Sequence, residues 1–526
     1  MAAAAALIVV ISWKFTFFQD EWLFILFRRD WSAESLFYPH NEHLVVFQAV
    51  IDKLCYQIFG LGNNRPEMFL MTATWVACAA LYYVWARKRI DPRLAVIGAT
   101  MLLFFGAAWQ TSLWPFEMVF TAPIVLGVIV LLLLERADRR ADVWACVLLS
   151  LSVGFGSLWI SFGAAALAEI VYSHRRRGWK RLYLVLVPGL LYLIWYAKYG
   201  HDAEHHLTLE NVLMAPTYVF DGLANSVGAL LGLGSSGISA PVSTDWGSAI
   251  LLALIGLGSW RIYRRGMPAA AWPVLAALLS YWLLAAFDYI PGREATSPRY
   301  VYSGAYFALM MVTTLIGRNR LGGRAILITA AIAVLTILPN LSILREGQEY
   351  FARESALTKG DLGALEIARD TVSPEFKLTN EVAGTASLEA VTAGLYFEVE
   401  AQYSPAGYSP AELTAAPEIA RHWADVVLAD ALPIVAKTTR GVALIGKCRS
   451  VGPENPVQVR PGLTRVVVQA GEPVTLQLRR FAVAEFPVAI ATAPGSTTTS
   501  LRIPHDRARQ PWYLNVAGSQ GARICR

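Results

Sequence analysis

Some eleven apolar runs, nearly all long enough to cross a bilayer, leave this chain few choices of fold. They lie at about 2–18, 66–86, 94–110, 116–134, 142–156, 158–173, 181–199, 247–263, 268–288, 299–317 and 324–343. A helix spanning hydrocarbon needs roughly 17–25 residues. Composition agrees: 55% of the 526 residues are hydrophobic and 16% charged, against about 25% charged in a soluble protein. Mean hydropathy is +0.44. These numbers predict a polytopic α-helical membrane protein in contact with lipid. The net charge of +6 does not point to nucleic acid, because the lysines and arginines sit in short clusters between apolar runs, as the positive-inside rule describes.

The N-terminal run has no basic segment before it, so it is expected to be a retained first helix rather than a signal peptide, with Lys14 snorkelling to the interface. The run 142–173 is interrupted at Gly154-Phe155-Gly156-Ser157. It reads either as a hairpin of two short helices or as one long tilted helix, and charge separates the two. With the hairpin, eighteen lysines and arginines in the loops fall on one side: Arg87 to Arg93, Arg136 to Arg140, Arg175 to Arg181, Arg261 to Arg265 and Arg318 to Arg324. The stretch 200–247, with neither residue type, falls on the other. The N-terminus is therefore expected in the cytoplasm. Segments 19–65, 110–116, 200–247, 289–298 and everything past the last span are expected outside. Within them, 44–60 reads as an interfacial helix with a polar stripe of Gln48, Asp52 and Gln57. Residues 212–233 read as an interfacial or re-entrant helix.

Beyond residue 344 the apolar runs stop. Residues 345–440 read as a mixed α/β segment with short helices at 361–368 and 410–432. From residue 441 the hydrophobic period becomes two, in about seven short stretches with turns at Pro461-Gly462 and Pro494-Gly495, and a β-sandwich is expected over 441–526. Trp512 and Tyr513 are expected in its core. Cys448 and Cys525 stand in its first and last expected strands, in a compartment that permits disulfides, and are expected to pair. Cys78 and Cys146 lie within apolar runs and are expected to be inert.

Titratable groups concentrate in the first outer segment: Asp20, Glu21 and Asp30; Arg28 and Arg29; and the cluster His40-Asn41-Glu42-His43, among several aromatics. In so apolar a chain this is where chemistry is expected. A carboxylate such as Asp20 can deprotonate an acceptor hydroxyl, and arginines can hold an anionic leaving group. A purely structural reading, with Asp20-Glu21 capping the helix that follows, is equally consistent with composition. Glu117, at the head of a span, is expected to line a cavity or to cap its helix. Asp202, Glu204, His205 and His206 read as a solvated loop, and Asp288 with Arg293 as a simple pair. His40, Glu42 and His43 are candidate ligands for a divalent metal, Mg or Ca, but are too close in sequence to complete a site; no other cofactor is implied.

The combination of about eleven spans, an acidic pair just after the first helix, interfacial helices and an outer tail resembles the GT-C superfamily of polyprenyl-phosphate-dependent glycosyltransferases. Asp20-Glu21-Trp22 is similar to that superfamily's acidic motif in the first external loop, where the aspartate is the catalytic base. Pro39–His43 (PHNEH) and Leu113–Glu117 (LWPFE) resemble motifs of actinobacterial membrane proteins of this type, and the arginine-over-lysine bias resembles a GC-rich bacterium. Ser297–Tyr302 (SPRYVY) resembles the Arg-Tyr start of a late helix, where the arginine, here Arg299 followed by Tyr300, meets the lipid phosphate. The resemblance covers roughly the first 345 residues. It implies an inverting transferase in the bacterial cytoplasmic membrane that moves a sugar from a polyprenyl-phosphate donor to a cell-envelope glycan or lipid acceptor. Asp20 and Glu21 would carry the chemistry; Arg28, Arg29, His40, Glu42, His43, Glu117, Arg293, Arg299 and Tyr300 would contact substrate. The tail resembles carbohydrate-binding domains of arabinosyl- and mannosyltransferases. The rival reading is a transporter or flippase of lipid-linked precursors; near-absence of charge at mid-span favours catalysis at one face.

The charge asymmetry makes a topological prediction. Alkaline phosphatase fused after Arg345 is expected to be active and a fusion at Gly178 inactive; the reverse pattern would overturn the orientation.

Overall fold

The computed structural model describes residues 1–136, 138–172, 178–238, 245–317, 322–379, 382–440, 448–451, 455–470, 475–491, 495–517 and 522–525. It divides into two compact units. The first comprises Met1–Trp13, Arg28–Cys55 and Arg65–Phe351; the second comprises Lys14–Phe27, Tyr56–Asn64 and Ala352–Arg526.

The first unit is helical. Among the described residues, six helices are long and apolar enough to cross a membrane, with the segments Arg65–Ala86, Pro92–Leu113, Pro115–Leu134, Trp179–Asp202, Trp246–Arg265 and Gly323–Ala368. Ala2–Ile11, Trp159–Tyr172 and Ala271–Phe287 are shorter apolar helices. Start signals are local: Asp91 accepts from Arg93 N–H ahead of Pro92, and Pro298 opens the Pro298–Ile316 helix. The expected break falls where the glycines stand. Helix Arg139–Ser152 ends in a short 3-10 turn, Gly156 takes φ +118°, and the next helix begins at Trp159; a side chain is strained at that φ.

Close packing fixes three neighbouring helices. A Cβ on Gly222, in helix Leu209–Leu230, would lie 2.2 Å from the Trp282 ring, and one on Gly304, in helix Pro298–Ile316, would lie 2.5 Å from it. Trp282 is fully buried. The two glycines thus let both helices close on the Ala271–Phe287 helix.

Three expectations change here. The polar stripe at 44–60 does not face solvent along its length: in helix Val46–Phe59, Gln48 and Asp52 are buried, with Gln48 Nε2 donating to Asp52 Oδ1 at 2.8 Å. Burial pushes the Asp52 carboxyl well above the usual carboxylate range, the nearby Glu67 charge adding to it. The run 324–343 is part of one 46-residue helix, Gly323–Ala368, which absorbs the short helix expected at 361–368. Pro339 does not break it, and the Asn340 side chain bridges Thr336 O, Ala229 O and Ala107 N–H at 2.9–3.1 Å. The expected cytoplasmic residues 173–177, 318 and 320 lie outside the described ones.

The second unit shows why the first run falls short. The helix stops at Ile11 rather than residue 18. Phe15, Phe17 and Phe18 are buried, and Phe17 joins a core cluster with Trp22, Tyr56, Leu365 and Tyr396. Tertiary burial of these rings outweighs continuation of the helix. The expected helix at 410–432 is two, Pro410–Ala415 and Glu418–Ala431, separated at Pro417, which disfavours helix at the residue before it.

Among the described residues, nine strands form two antiparallel sheets: β1 Val435–Arg440, β2 Cys448–Val451, β3 Val457–Val459, β4 Gly462–Ala470, β5 Thr475–Arg479, β6 Val488–Ala491, β7 Gly495–Ile503, β8 Trp512–Ala517 and β9 Ala522–Cys525. Their orders are β1-β7-β4-β9-β2 and β3-β8-β5-β6. The expected strand at 441–447 and Pro494 of the second turn lie outside the described residues. Leu501 and Ile503 of one sheet and Leu476, Trp512 and Leu514 of the other belong to one buried cluster. Trp512 is core, as expected, while Tyr513 is half-buried. Asp425 ties the preceding helix to the strands: its carboxylate accepts the N–H groups of Arg480, Phe481 and Ala482 at 2.8–3.1 Å. Arg480 also forms a fully buried ion pair with Asp506.

Cys448 is disulfide-bonded, and its register partner between β2 and β9 is Cys525. A bridge between these two would close a loop of about 77 residues and stabilise the tail by roughly 4 kcal/mol in the chain-entropy estimate. Cys55, Cys78 and Cys146 are free. Unreduced, denatured protein is therefore expected to take up maleimide only at those three cysteines, and to label Cys448 and Cys525 after reduction. Labelling of both before reduction would overturn the pairing.

Candidate active site

Asp20 and Glu21 belong to the second unit; the remaining candidates belong to the first. The acidic pair opens helix Asp20–Phe27 directly after Gln19, which is held at φ +40°, a conformation costly for a non-glycine residue. The two acids are not equivalent. Glu21 is buried, and its Oε2 accepts the Phe18 N–H at 2.7 Å, so the capping role falls to it. Asp20 is half-buried. Trp22 anchors the turn by donating its indole N–H to Phe17 O at 3.1 Å.

In the first unit, residues 39–43 form a tight strap. His40 and His43 exchange backbone hydrogen bonds of 2.9 and 3.0 Å, and Asn41 takes φ +52° at the tip. Three contacts fix it. Arg28, buried, donates to Pro39 O at 3.1 Å; His43 Nδ1 meets Ser157 Oγ at 2.8 Å; and the His40 ring packs edge-on against Phe116 at 4.9 Å. Arg28 thus shapes the strap from inside, and Arg29 beside it is half-buried.

The strap presents Glu42 to the loop that follows helix Ala271–Phe287. The Arg293 Nη1 donates to both Glu42 Oε1 and Asp288 Oδ2. Helix Leu209–Leu230 supports this loop with three side chains. Asn211 Nδ2 donates to Tyr289 O at 2.9 Å, Tyr218 OH to Arg293 O at 2.8 Å, and Asn225 Nδ2 to Thr296 O at 3.3 Å. The pairing of Asp288 and Arg293 read from sequence is thus one half of a three-group cluster.

His206 completes the cluster. Ligand atoms of Glu42, His206 and Asp288 lie within 4.8 Å of one another. The metal reading placed on His40, Glu42 and His43 therefore moves: Glu42 stays, and its companions come from residues 206 and 288. The 202–206 stretch is not merely a solvated loop, since Glu204 N–H reaches Asn41 O at 3.3 Å and Glu204 Oε2 meets His206 Nε2 at 3.1 Å. Two carboxylates and an imidazole suit a transition-series cation better than Mg or Ca, which prefer oxygen alone. Arg293 already bonds both carboxylates, so a cation would have to displace or share that guanidinium. The clustered acid and histidines at 202–206 were the available sequence signal; nothing local pointed to their meeting Glu42.

Charge explains the protonation of the pair. Burial raises the Asp288 carboxyl, and the hydrogen bond and charge of Glu42 add to it, to about 8. Burial would raise Glu42 too, but it is outweighed by its hydrogen bonds and the charges of His43 and Arg293, which hold it down to about 2. One guanidinium neutralises one carboxylate, and the second keeps its proton near neutrality.

Glu117 and the Arg299-Tyr300 pair lie at two helix heads. Glu117 is buried in the 3-10 turn Pro115–Glu117, within electrostatic reach of Tyr300. Arg299 is half-buried, 5.2 Å from the Tyr300 ring centroid, with Nη2 donating to Gly292 O at 2.9 Å. Tyr281 OH and Thr111 Oγ1 hold the backbone here, bonding Tyr300 O and Arg299 O at 2.9 and 3.2 Å.

Asp288 holds a proton in the fold that the unfolded chain releases near pH 4. Its contribution to stability is therefore full below that pH and is lost as pH rises through about 8. Glu42 acts oppositely, losing its contribution only as pH falls toward about 2. Asp288→Asn, which mimics the neutral acid, is expected to flatten the decline of melting temperature between pH 5 and 8 relative to wild type. Parallel declines would show that Asp288 is ionised in the fold.

No family model matches the sequence, and no curated protein matches it. Among solved structures, the chain is similar to the crystal structure of ArnT from Cupriavidus metallidurans in the apo state. The identity is 14% and the TM-score 0.43, over 78% of this chain and 90% of that chain.

Proposed function

We propose that this chain is a membrane glycosyltransferase that moves a sugar from a polyprenyl-phosphate donor to a cell-envelope glycan or lipid acceptor, with inversion, on the outer face of a bacterial cytoplasmic membrane. The observation that carries the reading is the division of labour at Asp20-Glu21. A general base must reach an acceptor hydroxyl. Glu21 is 1% exposed and spent on Phe18 N–H; Asp20, beside a strained backbone at Gln19, retains exposure. The cap and the base, which sequence left as alternatives, are two residues. Asp20 deprotonates the acceptor as it attacks the anomeric carbon, and the polyprenyl phosphate leaves.

For the leaving phosphate, Arg299 is the better of the arginines named from sequence. Arg293 has its charge offset by Glu42 and Asp288, and Arg28 is buried against Pro39 O. Arg299 stands in the first turn of helix Pro298–Ile316, where the guanidinium fork and the helix N-terminus both favour an oxyanion. The strap, with His40, Glu42 and His43, and the buried Glu117 frame the sugar or acceptor. The C-terminal sheets are read as a periplasmic, glycan-orienting region, with 345–440 linking them to the membrane domain over 1–344.

Purified protein in liposomes, supplied with a panel of labelled polyprenyl-phosphate sugars, tests this by transfer to envelope glycan. Asp20→Asn is expected to lower transfer by about 10²–10⁴-fold at unchanged melting temperature. Glu21→Gln is expected instead to lower the melting temperature, losing about 1 kcal/mol of capping. Full transfer by Asp20→Asn would remove this mechanism.

A further inference from the structure

The five-stranded sheet turns one face to the core and the other away from it. Val466 of β4, Leu501 and Ile503 of β7 and Val451 of β2 belong to the buried cluster. The residues that alternate with them form the opposite face. Register sets two rows there across β1, β7 and β4: Lys437, Ser500 and Arg465 in one, and Val435, Arg502 and Leu463 in the next. Lys437 and Arg502 are exposed, and Arg465 is half-buried. With strands about 4.8 Å apart and alternate residues about 7 Å apart, the three cations occupy a patch roughly 10 Å across.

Two properties set this patch apart from an ordinary solvated sheet face. The first is unbalanced charge. Residues 435–526 hold thirteen lysines and arginines against four acids, an excess larger than the net +6 of the whole chain. Asp506 is spent on Arg480, and Glu485 on His422. Glu454 and Glu472 lie outside the described residues and are already counted in that excess. Among the described residues, Lys437, Arg465 and Arg502 have no acidic partner. The second property is apolar exposure: Val435 and Leu463, which flank Arg502, are 54% and 55% exposed. A lysine on an edge strand commonly blocks edge-to-edge pairing, and that accounts for Lys437 on β1. Arg465 and Arg502 stand on β4 and β7, inside the sheet. The face is closed farther along, where Val467 and Thr498 are buried.

A partner for this patch must be anionic and must offer an apolar layer just beneath its charges. A soluble polyanion supplies only the first. An anionic bilayer supplies both, with headgroup phosphates for the cations and the acyl boundary for the two aliphatic side chains. The apolar helices of the same chain keep such a surface at hand.

We propose that this end of the sheet docks on the surface of an anionic bilayer, with Lys437, Arg465 and Arg502 on lipid phosphates and Val435 and Leu463 in the acyl boundary. The docking is reversible and weakens with salt, because each cation near a charged surface contributes only about fivefold in affinity. It does not depend on the proposed glycosyl transfer.

Full-length Ser500→Cys protein carrying an environment-sensitive fluorophore tests this in proteoliposomes. Cys55, Cys78 and Cys146 are buried, so labelling of the folded protein is directed to the new thiol. In phosphatidylcholine mixed with phosphatidylglycerol, emission is expected to shift to the blue and to be quenched by spin-labelled lipid; in phosphatidylcholine alone, or at high salt, neither is expected. A label at Gln458→Cys, on the second sheet, is expected not to respond. Lys437→Gln, at an exposed side chain, is expected to weaken docking about fivefold, and its combination with Arg465→Gln and Arg502→Gln about a hundredfold, at unchanged melting temperature. Val435→Ser with Leu463→Ser is expected to abolish the lipid quenching. An equal response in phosphatidylcholine alone, no response with phosphatidylglycerol, or a response that both Lys437→Gln and the triple variant retain in full would overturn the proposal. Dextran sulfate bound by the detergent-solubilised protein, with no lipid response, would assign the patch to a soluble polyanion and overturn the membrane assignment.

Discussion

One guanidinium shared between two carboxylates organises one end of the helical unit. Arg293 bonds Glu42 from the 39–43 strap and Asp288 from the loop after helix Ala271–Phe287. Breaking such a partly buried pair by removing one partner leaves an uncompensated charge, which costs more than the intact pair contributes. The rest of the site is arranged to hold this geometry. Arg28 and Ser157 fix the strap, and Asn211, Tyr218 and Asn225 fix the loop. Because two acids face one guanidinium, the cluster needs a proton or a cation to be neutral, and His206 stands where a cation could use it.

The same accounting separates residues that look alike in the sequence. Asp20 and Glu21 are neighbours of one chemical type, yet Glu21 is buried against the Phe18 N–H and Asp20 is half-buried. Arg28, Arg293 and Arg299 are all arginines in the polar segments between the apolar runs. Arg28 is buried against Pro39 O, Arg293 bonds two carboxylates, and Arg299 stands in the first turn of helix Pro298–Ile316 with its Nη2 on Gly292 O. Assigning roles by residue type alone would have treated each group as interchangeable.

Much of the helical scaffold is legible without coordinates, because a long apolar run can satisfy its backbone in lipid as a helix. Residues 66–86, 116–134 and 247–263 lie within a few residues of the observed helices, and the glycine-rich break near 156 stands where its composition places it. Legibility fails where burial comes from distant residues. Phe15, Phe17 and Phe18 continue an apolar run, yet they leave the helix because a core containing Leu365 and Tyr396 takes Phe17. Gln48 and Asp52 have the spacing of a solvated stripe and are buried instead. The candidate site was half legible: Glu42 was named and Asp288 was read as pairing with Arg293, but nothing local joined Glu42 to that pair, and His206 was read as part of a solvated loop.

The sequence by itself determined that the chain is rich in apolar helices of membrane-spanning composition, that period-two strands follow them, and which short polar stretches could bear chemistry. These follow from composition and local periodicity, which act over tens of residues. Only the tertiary structure decided that Glu42 and His206 join the Asp288–Arg293 pair, and that Gln48 and Asp52 are buried rather than solvated. Each of these brings together groups far apart in the chain. Their closure entropy is offset only by packing such as Gly222 and Gly304 against Trp282, and no local pattern encodes it.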